Sequence, residues 1–376
     1  MNDHNRYLAW VALALTPGLG TRTAGKLLQA FGSPEAIFAA SLTALEAQRL
    51  PAAVAQALHS RQPRSAAAEE IAQAQSADVT LVTWDEPDYP QRLLQIFDPP
   101  PLLYLLGDKS LLNRHQISIV GSRRPTAYGN QMAVKLGRDL ADRGVVIVSG
   151  LARGIDCCAH SGALTSANGA TVGVLGCGID IGYPKENKKL FAEMLKRGAI
   201  ISEFAMGTFP GAQNFPIRNR IIAGMSLGTV AVEGAEHSGS LITARLAMEF
   251  GRQVFGVPGN ATRPSSFGPN QLIKQGAKFV TGWEDVIEEL STPVRAELLP
   301  VESATTEERT LLVEQNLGPS ERVLCEMLAQ DEALAIDDSV EKSGLISSEV
   351  LAALFDLELK GVVRQLPGKQ FLKVLL

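Results

Sequence analysis

Between residues 116 and 129 the chain reads Gln116-Ile117-Ser118-Ile119-Val120-Gly121-Ser122-Arg123-Arg124-Pro125-Thr126-Ala127-Tyr128-Gly129. These residue types, in this order, suit the holding of an anion. Ile117, Ile119 and Val120 belong in a buried strand, the chain breaks at Gly121-Ser122, and Met132 to Leu140 continue at helical spacing. A strand that turns through glycine into a helix aims backbone N–H groups and a helix dipole at whatever lies in front of it. Arg123 and Arg124 at the tip add two permanent charges whose planar donors match phosphate oxygens.

The same chemistry recurs down the chain. Ser149-Gly150-Leu151-Ala152-Arg153-Gly154-Ile155-Asp156 again sets glycines around one arginine, and Tyr183-Pro184-Lys185-Glu186-Asn187 offers a lysine and an amide. Asn214-Phe215-Pro216-Ile217-Arg218-Asn219-Arg220 adds two arginines, two amides and a ring, and Glu233 to Ser240 ends in a Ser-Gly-Ser helix start. One glycine turn alone says little, and Gly-Ser-Arg is not the dinucleotide fingerprint. The acidic residues some twenty positions on, Asp139 and Asp142, fall on a helix, so no dinucleotide cofactor is expected. Glu203, Glu233, Glu236 and His237 are the candidate acid–base groups, while Asp156 is read as a helix cap or a partner of Arg153. No Ser/His/Asp order and no metal-ligand spacing stands out; Cys157, Cys158, Cys177 and Cys325 read as reduced, core-type thiols. The expectation is a site that binds without reacting, with no cofactor and no metal.

A periodic scaffold must bring these segments together. Strands are expected at Ile117–Val120, Val145–Ser149, Thr171–Leu175, Ala199–Ser202, Thr229–Glu233, Gln253–Val257 and Lys278–Thr281, with Val79–Thr83 and Leu102–Leu106 before them. Helical segments such as Asn187–Arg197 and Leu241–Gly251 lie between them. Continuous apolar strands alternating with helices specify a mostly parallel sheet covered on both faces, an extended Rossmann-like, doubly wound α/β fold over residues 76–290. Ligands of such sheets sit beyond the carboxyl ends of the strands, where every segment above falls.

The flanks differ. Residues 1–75 read as short helices in which Thr16-Pro17-Gly18-Leu19-Gly20 resembles a helix-hairpin-helix turn, and Ser33-Pro34 opens another helix pair. Residues 291–318, rich in Glu, Thr and Pro, read as an acidic linker. From 319 to 376, a helix, a helix-turn-helix and a β-hairpin form a winged-helix pattern. Its second helix, from Ser348, carries no base-reading Arg, Asn or Gln near its start, which suits a protein contact better than a DNA groove.

The net charge of −5 conceals a strong asymmetry. Residues 110–283 hold 19 Lys and Arg against 10 Asp and Glu, and residues 284–345 hold 4 against 16. A basic centre in an acidic chain signals an anionic partner. No stretch approaches the ~18 apolar residues of a membrane span, so a cytoplasmic protein is expected.

Taken together these strings resemble the DprA (Smf) family of bacterial DNA-processing proteins. The motifs are I-V-G-S-R-R-P at 119–125, V-S-G-L-A-R-G-I-D at 148–156, A-H-S-G-A-L at 159–164, V-L-G-C-G-I-D at 174–180, Y-P-x-E-N at 183–187, N-F-P-I-R-N-R-I-I-A-G at 214–224, S-G-S-L-I-T-A-R at 238–245 and V-P-G at 257–259. The resemblance implies a non-enzymatic protein that binds single-stranded DNA whatever its sequence. It also implies protection of incoming strands in natural transformation, help in loading the RecA recombinase, and a homodimer formed through the Rossmann-like domain. Carried onto this chain, Gly121, Ser122, Arg123 and Arg124 would hold phosphate. Arg153, Lys185, Asn187, Phe215, Arg218, Asn219 and Arg220 would surround them, with Phe215 stacking on a base. One departure is Gly211-Ala212-Gln213, which carries no basic residue at that lip. Two other readings are a nucleotide-processing enzyme of the phosphoribohydrolase type, whose P-G-G-x-G-T-x-x-E motif is missing here, and a winged-helix DNA-binding regulator.

Overall fold

Largely apolar runs such as Val146–Ser149 and Thr171–Val174 form strands buried along their whole length. The computed structural model describes residues 3–299, 318–328, 334–359, 362–366, 368 and 370–373. Its strands β1 (Thr80–Thr83), β2 (Leu102–Gly107), β3 (Gln116–Val120), β4 (Val146–Ser149), β5 (Thr171–Val174), β6 (Ala199–Ser202), β7 (Gly228–Ala231), β8 (Gln253–Gly256) and β9 (Lys278–Phe279) form one sheet. Their order is β1-β2-β6-β5-β4-β3-β7-β8-β9. β2 runs against its neighbours β1 and β6, and the pairs from β6 to β9 are parallel. The expected doubly wound, mostly parallel sheet is the observed one.

Six helices precede the sheet: α1 (Asp3–Ala14), α2 (Thr21–Phe31), α3 (Pro34–Ala39), α4 (Leu42–Glu46), α5 (Ala52–His59) and α6 (Pro63–Ser76). Gly18 turns the chain between the first two with φ +77°. Ser33 caps α3 by accepting from the Ala36 N–H at 3.2 Å, with Pro34 in the first turn, as its sequence predicts. These helices share a core with the sheet. Leu13, Leu27, Leu58 and Ile71 are buried in one cluster with Tyr104, Leu175 and Ile200, and the described residues up to Leu298 form a single unit.

Between the strands lie α7 (Ala127–Ala141), α8 (Ile155–Thr165), α9 (Lys188–Arg197), α10 (Asn214–Met225), α11 (Gly239–Glu249) and α12 (Phe267–Lys274), followed by α13 (Glu284–Ile287) and α14 (Thr292–Leu298). From β3 the chain steps outward through β4 and β5 to β6, and α10 then carries it back past β3 to start β7. The strand order therefore reverses between β3 and β7, where a doubly wound sheet opens a crevice at its carboxyl edge. The α14 helix corrects the reading of a linker from residue 291. Val294 and Leu298, one turn apart, pack on the sheet's core, an apolar stripe too short to register among the Glu and Thr around it. Residues 300–317 of that expected linker lie outside the described residues.

The second unit is the expected winged helix. Helices Pro319–Met327, Ile336–Ser343 and Ser347–Leu359 enclose Leu324, Val350, Leu354, Leu357 and Phe371. Strands β10 (Leu334–Ala335), β11 (Val363–Leu366) and β12 (Gln370–Lys373) form its small sheet in the order β10-β12-β11. The outer side of the last helix shows Leu351 and Phe355, both more than half exposed, rather than polar base readers. Among the described residues, no helix is long and apolar enough to cross a membrane.

α7 and α8 cross in backbone contact, because each presents a glycine to the other. A Cβ on Gly162 would lie 2.2 Å from the Val134 carbonyl oxygen, and one on Gly137 2.4 Å from that of Ala159. Main chain cannot step aside as a flexible side chain can, so Gly162→Ala should cost ~1–3 kcal/mol by overpacking. Urea titration reads this as a lowered midpoint; an unmoved midpoint refutes the contact.

Candidate nucleic-acid interface

The turn after β3 is built from its neighbours. The Ser122 carbonyl accepts from the Ile155 N–H at 3.1 Å, and its hydroxyl accepts from the Arg124 N–H at 3.0 Å. Gly154 (φ +80°) allows this docking, since a Cβ there would sit 2.3 Å from the Ser122 oxygen. Thr126 caps α7, accepting from Gly129 N–H at 3.2 Å. Glu233, buried just past β7, takes the Thr126 N–H at 2.9 Å and hydroxyl at 2.6 Å. A carboxylate at a helix start is favoured by the dipole as well as by these two bonds. The turns after β3 and β4 and the end of β7 are thus one bonded assembly.

In front of it lies a cavity of about 450 Å³ whose wall includes Gly121, Arg123, Asp156, Phe215, Arg218 and Asn219. Ser238, Gly239 and Ser240, at the start of α11, close its far side. A smaller hollow of about 100 Å³ adjoins it, lined by Arg153, Gly176 and Tyr183 among others, and shares Arg123, Ala152, Phe215 and Arg218 with the first. Phe215 stands where the two meet. The Arg123 guanidinium carbon is 5.2 Å from its ring centre, that of Arg218 6.0 Å, and Tyr183 packs on it at 5.8 Å between ring centres.

The expected site residues divide into two sets. Arg123, Arg124, Arg153 and Lys185 are exposed. Among the described residues, Arg123, Arg124 and Lys185 form no salt bridge, whereas Arg153 pairs with Glu186. Gly121 and Phe215 are in the cavity wall. Ser122 is partly exposed, its hydroxyl bonded within the turn, whereas Asn187, Arg218, Asn219 and Arg220 are buried and engaged in holding the edge itself. Arg218 donates through Nη1 to the carbonyls of Gly150, at 2.6 Å, and Val174, and through Nε to Asn219 Oδ1 at 3.2 Å. Asn219 also donates to the Gly239 carbonyl at 3.3 Å. Asn187 donates to the carbonyl of Leu151 at 2.9 Å, a residue held at φ +56°. Arg220 lines neither cavity. It is buried against Glu203, with Asp98 3.4 Å from its Nε.

Nor does Asp156 pair with Arg153. It lies in the first turn of α8, after the cap at Gly154, and accepts the Gly150 N–H at 3.1 Å. Burial pushes its carboxyl up, while the Arg218 charge pulls it back. Burial likewise raises Glu203, with Arg220 opposing. His160 on α8 is pushed down to about 3 by burial and the Arg218 charge, so it is neutral at physiological pH. Its Nδ1 lies 2.6 Å from the Thr171 hydroxyl, which itself donates to the Ile147 carbonyl. Glu236 and His237 are exposed on the loop after β7 and line neither cavity. Among the contributors to the wall that went unassigned from sequence are Tyr183 and the Ser238–Ser240 helix start. The second carried a recognisable capping pattern.

A family model described as DNA recombination-mediator protein A matches residues 80–291, more than half of the chain. The chain belongs to the DprA/Smf family. A DprA winged-helix model matches residues 310–369. Protein Smf of Escherichia coli is 38% identical over 313 residues, covering 81% of this chain and 80% of the relative. The DNA processing protein DprA of Bacillus subtilis is 47% identical over 203 residues, covering 54% and 68%. The X-ray structure of DprA from Streptococcus pneumoniae superposes with a TM-score of 0.66 at 32% identity, over 77% of this chain and 99% of that one. DprA from Helicobacter pylori, described for its single-stranded DNA binding mode, gives 0.51 at 32% identity, over 56% and 94%.

If Arg220 serves the fold, removing it leaves a buried carboxylate without its cation. Arg220→Met should cost ~3–5 kcal/mol, as broken buried pairs do. The loss relative to wild type should deepen as pH rises above about 7, where wild-type Glu203 ionises beside Arg220 while the variant, without that cation, must keep the carboxyl protonated or bury it ionised. Glu203→Gln in the same chain should restore most of the stability. Denaturation midpoints at several pH values decide it; a pH-independent loss would contradict the assignment.

Proposed function

We propose that this chain binds single-stranded DNA without regard to sequence, through the carboxyl edge of its sheet and with no chemical step. The observation that carries this reading is the placement of Arg123 over Phe215 in the wall shared by two adjoining cavities. It sets a phosphate-binding charge beside a ring on which any base can stack. Gly121 and Gly154 let the turns after β3 and β4 pack on each other, which holds Arg123 at the cavity. The naming of the relatives as DNA-processing and recombination-mediator proteins, and the single-strand binding described for the Helicobacter pylori structure, support the same ligand.

The wider role follows as part of the proposal. The protein acts in the cytoplasm as a homodimer formed through the Rossmann-like portion. It shields incoming strands during natural transformation and helps load RecA onto them. Glu233, the residue that a phosphoribohydrolase reading would need as its acid or base, already takes two bonds from Thr126. That favours binding over hydrolysis.

Fluorescence anisotropy with matched single- and double-stranded oligonucleotides tests the ligand, and single strands should bind more tightly. Arg123→Ala with Arg124→Ala should weaken binding to every sequence. If each arginine neutralises one phosphate, the slope of log affinity against log salt should flatten by about 1.4. RecA nucleation on the strand should quicken in the protein's presence, and the same double variant should lose that effect. Undiminished DNA binding by the double variant would refute the site.

A further inference from the structure

The loop from β6 into α10, residues 203–213, contains no lysine or arginine, although it ends on the cavity. Ala212 is in the wall, and Asn214 and Phe215 open α10 directly after it. In place of a charge this lip holds out a ring. Phe209 is 78% exposed, the most of any large apolar side chain among the described residues.

Its exposure is fixed by the main chain around it. Gly207 N–H donates to both oxygens of Asp180, at 2.9 and 3.1 Å, and Met206 N–H donates to Glu70 on α6 at 2.7 Å. The Thr208 carbonyl takes the Gly178 N–H at 2.9 Å. The Phe209 carbonyl accepts twice, from Gly211 N–H at 2.8 Å and from the Asn214 side chain at 3.2 Å. A loop pinned on both sides of the residue cannot fold the ring back into the protein. The ordering cost that weakens many contacts is met before a ligand arrives. Ile217 and Ile242 are also exposed, and Ile242 lines the cavity. The cavity wall thus carries the charge of Arg123 and the apolar Ile242, and Phe209 stands on the loop that enters this wall at Ala212, its carbonyl bonded to the Asn214 side chain next to Phe215.

The geometry points to Phe209 as a second base-stacking platform: a strand gripped at Arg123 and Phe215 lays a neighbouring base on this ring. The inference rests on the single-stranded DNA reading above and adds a division of labour. Contacts at Arg123 and Arg124 depend on salt through counterion release, whereas stacking on an uncharged ring does not. An apolar lip could equally meet another protein. A ring held rigidly beside a phosphate-binding wall favours the base, since both then act on the same strand.

The test is a salt series on wild type, Phe209→Ala, Phe209→Trp and the Arg123→Ala/Arg124→Ala double variant, using normal and abasic oligonucleotides. Phe209→Ala should lose about 5- to 100-fold in affinity at every salt concentration, with an unchanged slope. Phe209→Trp should keep its affinity, and its added fluorescence, above that of Trp10, Trp84 and Trp283, should be quenched by DNA. On the abasic strand, wild type and Phe209→Ala should bind alike. Equal affinity of the two on normal DNA would overturn the inference and leave the lip to a protein partner. So would a loss that persists on the abasic strand, or one that flattens the salt slope. If wild type itself does not bind single strands, the parent reading fails instead, which these arms distinguish.

Discussion

The carboxyl edge of this sheet depends on one guanidinium being kept out of water. At the ends of parallel strands the last carbonyls have no ladder partner, and in a crevice they would face a ligand or each other. Arg218, 4% exposed, bridges two of them, those of Gly150 after β4 and Val174 at the end of β5. Burying a cation is costly unless it is bonded and charge-compensated. Here two carbonyls, the amide of Asn219 and the nearby charge of Asp156 meet that condition. Burial pulls the guanidinium down only to about 10, with Arg123 adding to the effect, so it is charged at physiological pH. The geometry tolerates no side chain at position 150, where a Cβ would lie 2.4 Å from Arg218 Nη1.

With that edge fixed, the remaining pieces assemble around it in a definite order. Asp156 compensates Arg218 and holds the Gly150 N–H, which sets the turn leading to Gly154. That turn receives the Ser122 carbonyl and so positions Arg123 and Arg124. Glu233 anchors the start of α7 from the far side of β3. Most of these buried polar groups are satisfied by one another, although Arg220 Nη1, Glu203 Oε1 and His160 Nε2 are buried without a hydrogen bond. The bonded part of the network holds in place the wall that presents the exposed cations. Positive charge at the strand ends accordingly serves two separate ends: internal closure by Arg218 and Arg220, and the surface charge of Arg123, Arg124 and Lys185.

That division was the part of the site the sequence did not display. Strand and helix positions were legible because both faces of the sheet are buried. β6 matched its expected bounds, and most other strands fell within a residue or two. The turns at Gly121 and Gly154 were legible because glycine there answers a steric demand. Which of Arg218, Asn219 and Arg220 faces a ligand was not legible. Three consecutive polar residues on a helix point in different directions, and their partners, Gly150, Gly239 and Glu203, are remote in the chain. The same holds for Asp156, whose bond is to the backbone N–H of Gly150, and for Glu233, which takes the N–H and hydroxyl of a threonine 107 residues away. The helix Thr292–Leu298 was missed for a different reason, since two apolar residues cannot establish a period on their own.

The shape of the edge argues for a polymer over a single nucleotide. A cofactor site encloses its ligand, with convergent polar groups fixing each end. Here two hollows of unequal size lie side by side and share Arg123, Ala152, Phe215 and Arg218 as common wall. The ring in that wall offers a face on which any base can stack. The carboxylate in that wall, Asp156, already holds a backbone N–H and faces a buried cation, an arrangement that stabilises the turn without presenting a proton to a substrate. Charge for a backbone and a ring for any base are together the properties that sequence-independent strand binding requires.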